Sequence, residues 1–494
     1  MEEIVCDKKM SFEDCELALL RHAVEETEEI NEKKLLTHEV MEIISILKIF
    51  MVKKKVICYG GTAINNILPK KVQFYSEDQI PDFDFFSKTP LNDTKELADI
   101  YYKKGFKSVE AKSGVHYGTF KVFVNYIPIA DITYLEKGVF DSIIKECIII
   151  DGIQYAPPNY LRRSMFSELS RPNGDVSRWE KVFTRLKLLN EYYPLKIKED
   201  CLKGKKDSLK INQETFNLVL ETLIHWDVVF FGGYAFNLYS EYSKNKKIKQ
   251  LSSDFPHFDV ISEDYEEIAQ NLLEMLKQNK IKGQIKKNQE FGDIIPENIE
   301  ILIGGKTIVC IYKAVTCYSY NELLLTAGNN IIKIASIDTI LSFYLAFIYA
   351  NNKMYDKERI LCMAGILFEI EQEYRTEKTG LLKRFSVECY GKQKTLTDIR
   401  VEKAEKYNEL ISKKGSKEYE FWFLKYKPDD IYSKKHLNGM LPPNKKRNTR
   451  KEYNKGKFFI KSPRVNKSFK KYFTKKNKKR KNDYLINRTE FNFF

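Results

Sequence analysis

Asp82 and Asp84 are separated by one residue and follow a Gly60-Gly61-Thr62 triplet, with 23 residues between the positions of Gly61 and Asp84; a third acid, Asp131, comes later. On an extended segment alternate side chains point to the same side, so Asp82 and Asp84 converge while Phe83 turns toward a core. Asp131 follows the apolar run 126–130 and is expected to end a neighbouring strand. Three carboxylates gathered in this way are the ligand set with which two Mg²⁺ ions bridge a nucleoside triphosphate and activate an attacking hydroxyl. Any one aspartate of this kind more often caps a helix or sits in a surface loop. The triplet behind a glycine turn carries the reading. Two glycines between a strand and a helix let backbone N–H groups approach an anion closely, and the Thr62 hydroxyl adds a donor to a phosphate.

A second charged element lies further on. Pro172-Asn173-Gly174 forms a turn, and after Asp175 and Ser177 an amphipathic helix carries Arg178, Lys181 and Arg185 at spacings of three and four. That stripe suits the neutralisation of a triphosphate, although an ordinary solvated helix face would carry any one of these cations equally well.

The elements that must position these residues read as an α/β unit with a sheet. Residues 12–51 are helical in character, with Ile43, Leu47 and Phe50 on one face. Then come a β-type run at 56–59, the glycine turn, a helix, the segment PDFDFF, a helix at 95–104, and β-type runs at 116–126 and 129–134. The second half repeats the first: FFGGYAFNLY (230–239) matches CYGGTAINNI (58–67), and FPHFDVIS (255–262) matches IPDFDFFS (80–87). A helix at 267–278 and a β-type run at 306–315 follow in the same order. In that alignment His257 replaces Asp82, Asp259 keeps Asp84, and Cys317 falls opposite Asp131, so the second copy reads as catalytically degenerate. The apolar helix after Asp338 reads as core of this second copy.

Composition sets the outer limits. The chain of 494 residues carries a formal charge of +15, yet residues 444–482 alone hold 18 Lys or Arg against one acid, Glu452, leaving the rest at −2. From about residue 432 there is no sustained apolar period, which predicts a largely disordered basic tail. Its cations, among them Lys445, Lys446, Arg447, Lys470, Lys471, Lys478, Lys479 and Arg480, are interleaved with Phe458, Phe459, Phe469, Tyr472 and Phe473. Cations that neutralise phosphates beside rings that stack on bases suit a single-stranded nucleic acid, though a targeting or packaging signal would look much the same. Nine cysteines without a CxxC pair, and histidines without zinc spacing, argue against a disulfide scaffold or zinc module. Neither a signal peptide nor a run long enough to span a bilayer is present, so a reduced intracellular setting without membrane is expected.

The pattern GG[ST], D-x-D and a distant D resembles the nucleotidyltransferases of the DNA polymerase β type. More closely, YGGTAINNILP, PDFDFFS, ADITY and SELSRPNGDVSRWEKVFTRL resemble the poly(A) polymerase catalytic subunits of large cytoplasmic DNA viruses, the poxvirus, African swine fever virus and mimivirus group, over roughly residues 40–370. The resemblance implies two tandem nucleotidyltransferase-like domains: a helical segment at 1–50, a catalytic domain at 51–200, a degenerate copy at 205–390, a helical extension at 391–431 and the tail at 432–494. It implies a template-independent adenylyltransferase that extends an RNA 3′ end with ATP and two Mg²⁺ or Mn²⁺ ions. Asp82, Asp84 and Asp131 would be the catalytic metal ligands, and Gly60, Gly61, Thr62, Ser170, Arg171 and Lys181 the nucleotide contacts. A homodimer in the cytoplasmic viral factory, and in the virion, goes with it. Another RNA nucleotidyltransferase, uridylyl- or oligoadenylate-forming, fits the same residues, since base choice follows from the resemblance alone. A non-catalytic RNA-binding processivity subunit would have no use for three converging carboxylates.

Overall fold

The computed structural model describes residues 10–34, 38–75, 82–195, 211–245, 248, 256–325, 330–350 and 356–430. The basic run with its cations from Lys445 to Arg480 lies outside them.

Two helices, Phe12–Lys34 and His38–Lys54, lead the chain. The stripe at Ile43, Leu47 and Phe50 is buried, as its spacing predicts, and Tyr101 donates its hydroxyl to the Ile43 carbonyl at 2.7 Å. Seven strands follow: β1 (Ile57–Tyr59), β2 (Phe83–Ser87), β3 (Val109–Ser113), β4 (Thr119–Val124), β5 (Ile127–Tyr134), β6 (Ile148–Ile150) and β7 (Ile153–Tyr155). They lie in the order β3-β4-β5-β2-β1-β7-β6, with β2 parallel to β5 and β1 parallel to β7. In β4, Phe120, Val122 and Val124 are fully buried while the residues between them are only half covered, the period-two pattern of a strand with one core face. Helix Pro90–Lys103, with proline at its first turn, packs on this part of the sheet.

The second half builds the same sheet again from β8 (Val229–Phe231), β9 (Phe258–Ser262), β10 (Gly283–Asn288), β11 (Asn298–Ile303), β12 (Lys306–Lys313), β13 (Tyr318–Leu324) and β14 (Ile331–Ala335). Their order, β10-β11-β12-β9-β8-β14-β13, maps strand for strand onto the first. β15 (Cys389–Tyr390) extends the second sheet beside β13, and β16 (Lys425–Tyr426) extends the first beside β3. The stretch 391–431 is therefore not purely helical: helices Leu396–Leu410 and Lys417–Phe423 lead back to the edge of the first sheet.

Pairing also corrects the alignment of the copies. β2 and β5 place Asp84 beside Asp131, and the equivalent parallel pair β9 and β12 places Asp259 beside Cys310. Cys310, not Cys317, is the counterpart of Asp131. Cys317 instead forms a disulfide with Cys389 next to the β13–β15 pairing, a cross-link that cysteine spacing did not predict.

The halves share one hydrophobic core. Helix Pro158–Leu169 of the first lies along helix Ile337–Phe347 of the second, which is buried on every side and starts at Ser336, whose hydroxyl accepts from the Thr339 N–H. Ring contacts between Tyr160 and Tyr349 at 5.6 Å and between Phe166 and Phe368 at 6.5 Å cross this seam. A fully buried aromatic contributes on the order of 2 kcal/mol, so the seam is held by apolar burial. Among the described residues no helix is long and apolar enough to cross a membrane.

Candidate active site

A single cross-strand row organises the site. Tyr59 on β1 pairs with Asp84 on β2, Asp84 with Asp131 on β5, and Asp131 with Lys121 on β4. Paired residues on adjacent strands project on the same face, and neighbouring strands are about 4.8 Å apart. Asp131 thus lies in the middle of its strand, where the sequence suggested a strand end. Asp82 stands exposed just before β2, while Phe83 and Phe85 are buried on the opposite face.

The charges of this row are not balanced. Lys121 Nζ forms an ion pair with Asp131. Asp84 is half-buried, and its pKa is pushed up to about 7 by burial, then by the carboxylates of Asp131 and Asp82, against the opposing charges of Lys121 and Arg178. An all-oxygen, acidic donor set strained in this way fits a hard divalent cation. The carboxylates are not a closed cage as they stand: among the described residues no three acidic, histidine or cysteine side chains are grouped to hold an ion, and Asp131 is engaged by Lys121.

β1 runs directly into helix Gly60–Ile67. Gly60 takes φ +71°, and a Cβ there would stand 2.8 Å from Asp84 Oδ2, so glycine is required both by the backbone and by the carboxylate. A Cβ on Gly61 would collide with the Tyr75 hydroxyl and meet the Arg185 guanidinium at 3.0 Å. Thr62 is put to a different use from the one its place suggests. It is buried, and its hydroxyl donates to the Asp82 backbone carbonyl, tying the first acid to the glycine turn. Asn65 Oδ1, one turn on, accepts from the Phe74 and Tyr75 N–H groups at 2.8 and 3.0 Å and so fixes the loop that faces Arg185.

The basic stripe is carried by helix Trp179–Tyr192 and the short 3₁₀ turn Val176–Arg178 before it. Glu168 anchors both: its carbonyl accepts from Trp179 Nε1 at 3.1 Å and its carboxylate pairs with Arg178 Nε at 3.0 Å. Arg185 lies over the Phe74 ring at 4.9 Å and donates to Tyr75 Oη at 3.1 Å, which sets its guanidinium beside Gly61. Lys181 is exposed one turn before Arg185.

Ser170 and Arg171 face elsewhere. The buried Ser170 hydroxyl donates to the Ser167 carbonyl at 3.1 Å, and the Ser170 carbonyl accepts from the Ser319 N–H of the second sheet at 2.9 Å. Arg171 is set beside Tyr318. The structure therefore gathers Asp82, Asp84, Asp131, Gly60, Gly61 and Thr62, turns Ser170 and Arg171 toward the second half, and adds Lys121, Tyr75, Arg178 and Arg185.

Residues 45–175 match the family model described as poly(A) polymerase catalytic subunit. Over 166 residues the chain is 34% identical to a putative poly(A) polymerase catalytic subunit of African swine fever virus, covering 32% of this chain and 34% of that protein. Over 262 residues it is 28% identical to the putative catalytic subunit of Acanthamoeba polyphaga mimivirus, covering 49% and 44% respectively. The aligned stretches thus span a third to under half of the length of these relatives. The fold is similar to that of the Megavirus polyadenylate synthase, with a TM-score of 0.71 and 22% identity over 87% of this chain and 91% of that one. The likeness to poly(A) polymerase catalytic subunits is thus concentrated in residues 45–175, the segment whose sheet carries Asp84 and Asp131 side by side.

Proposed function

We propose that the chain is a template-independent polynucleotide adenylyltransferase that adds poly(A) to RNA 3′ ends from ATP. The observation that carries this reading is the side-by-side placement of Asp84 and Asp131 on parallel strands, with Asp82 tied to the glycine turn by Thr62. Asp82, Asp84 and Asp131 would hold two divalent ions, Mg²⁺ or Mn²⁺, which when bound supply charge for the triphosphate and acidity for the RNA 3′-hydroxyl. The remaining work falls to this chain. The Gly60–Gly61 turn offers backbone to the phosphates, and Arg185, held over the Phe74 ring, sets a cation beside it for the departing pyrophosphate. Lys121 holds Asp131 oriented along the row until substrate enters. The second copy serves as scaffold, and the resemblance adds a homodimer acting in the cytoplasm of an infected cell. Incubating the purified chain with a labelled RNA primer and each nucleoside triphosphate in turn tests the proposal. Extension is expected with ATP and a divalent cation. Efficient use of UTP in its place, or binding without extension, overturns it.

A further inference from the structure

Helix Pro158–Leu169 with the turn after it, the loop 290–296 and the start of β13 line an open cavity of about 300 Å³ at the seam between the two halves. Arg163 and Arg171 line it, and the Nε of each is buried without a hydrogen-bond partner. Arg163 donates through Nη2 to the Asp293 carbonyl at 3.3 Å. Glu290 and Asp293 stand on the lining loop, yet among the described residues neither guanidinium is in an ion pair. The preceding residue of the same helix shows how a settled buried arginine is held. Arg162 spends Nε on Asn190 Oδ1 at 2.6 Å, Nη1 on Asn159 Oδ1 at 2.5 Å and Nη2 on the Tyr193 carbonyl.

Both arginines are part-buried with the Nε shut off from water, and Asp293 and Glu168 act on them only through space, so an anion that bonds the two forks directly would complete them. Burial pulls the pKa of both below the usual arginine range, and the charge of Arg163 adds to the effect on Arg171. The planar fork of each is suited to phosphate oxygens. The site is also joined through packing to the half that carries the acids. Phe291 and Gly292 of the lining loop pack on Gly138 and Val139, at the start of helix Lys137–Ile143, which follows β5, the strand of Asp131. The volume is at the lower end of small-ligand pockets, roughly 300–1,000 Å³, and takes a nucleotide unit, more than a free phosphate fills.

We propose that Arg163 and Arg171 bind a backbone phosphate of the RNA being extended, a proposal that rests on the polymerase reading above. The test uses full-length chains: wild type, the pair Arg163→Gln with Arg171→Gln, and the pair Arg163→Lys with Arg171→Lys. Binding of a fluorescein-labelled oligo(A) is followed by anisotropy over a range of KCl, with the KM for ATP and the rate at saturating RNA measured alongside. Loss of one phosphate contact should weaken RNA binding about tenfold at low salt and flatten the slope of log affinity against log salt by about 0.7, with the Lys pair close to wild type. KM for RNA should rise well beyond any change in kcat. Should the Gln pair melt early, Arg171→Gln alone is read on the same slope, since its side chain carries no hydrogen bond among the described residues. Competition by inorganic pyrophosphate or ATP, with a raised KM for ATP and an unchanged RNA slope, assigns the phosphate to the nucleotide and overturns the proposal. Unchanged affinity and slope in a folded variant overturn it too. A wild-type chain that shows the RNA slope but incorporates no nucleotide sinks the polymerase reading while leaving the phosphate site standing.

Discussion

The two copies of the sheet carry the same four-strand row: Tyr59, Asp84, Asp131 and Lys121 in the first, Phe231, Asp259, Cys310 and Glu300 in the second. The backbone device at one end is retained. Gly60 and Gly232 both take positive φ, +71° and +62°, and in both copies a Cβ there would run into the aspartate carboxylate. The surroundings of that carboxylate differ. Asp84 is half-open beside a second acid, whereas Asp259 is 4% exposed, paired with His257 Nε2 at 2.9 Å and neighboured by a buried thiol. At the far end Glu300 reverses the charge of Lys121. Burial raises its pKa, but hydrogen bonds from Lys286, Thr307 and Asn288 hold it below the usual carboxylate range, so it is satisfied within its own sheet. A glycine packed on an aspartate is therefore a property of this strand-to-helix turn. The chemistry depends on what stands next along the row.

The sharpest way to break the comparison is to delete the acid from each copy. Asp84→Ala or Asp131→Ala should lower incorporation by roughly three powers of ten or more, because several kcal/mol of charge stabilisation leave with the ligand. Asp259→Ala should stay within a few-fold of wild type, as judged by primer extension at saturating ATP alongside thermal melting. A folded Asp259→Ala chain that no longer extends RNA would show that the second row is not inert.

A smaller effect separates the glycines. Alanine in a left-handed conformation costs roughly 1–2 kcal/mol, so Gly60→Ala and Gly232→Ala should both melt earlier and by similar amounts. Only Gly60→Ala also displaces a proposed metal ligand, and it should lose activity about tenfold or more for each 1.4 kcal/mol of misplacement. Equal activity losses from the two substitutions would contradict a division of labour between the copies.

Much of the first row was legible in the sequence, and what was hidden was hidden by register. Gly60-Gly61, Asp82 and Asp84 are close in the chain, so turn chemistry and strand alternation suffice to place them. Lys121 is not. Asn125 and Tyr126 both have positive φ, as a two-residue hairpin turn requires, and counting outward from Val124 opposite Ile127 would set Lys121 opposite Ala130. A bulge between Val122 and Phe123 shifts the pairing by one and delivers Lys121 to Asp131. Cys317 was matched to Asp131 for a similar reason: the apolar strand β12 fixes no register until β9 pairs with it. Ser170 and Arg171 follow a helix whose partner, Ile337–Phe347, lies far along the chain, so no local pattern tells which half they face.

The finest probe of the difference between the rows is the pH dependence of stability. In the fold Asp84 titrates near 7, raised from an unfolded value near 3.8 by burial and by its acidic neighbours. A carboxylate raised in this way binds its proton more tightly in the folded chain, so its contribution to stability is complete below about pH 4 and is lost as pH rises toward and through 7. Without metal, Asp84→Asn should therefore melt higher than wild type above pH 7, by a few degrees, and the gap should close as pH falls toward 4. Adding Mn²⁺ should raise the melting temperature of wild type and of Asp259→Asn at pH 7.5, because a cation relieves the same repulsion, and should do little for Asp84→Asn. The melts are run with EDTA and with Mn²⁺ across that pH range. Equal metal stabilisation of all three chains would place the cation outside the first row, and a pH-independent gap would mean that the crowding of Asp84 by Asp131 and Asp82 is not what sets its proton affinity.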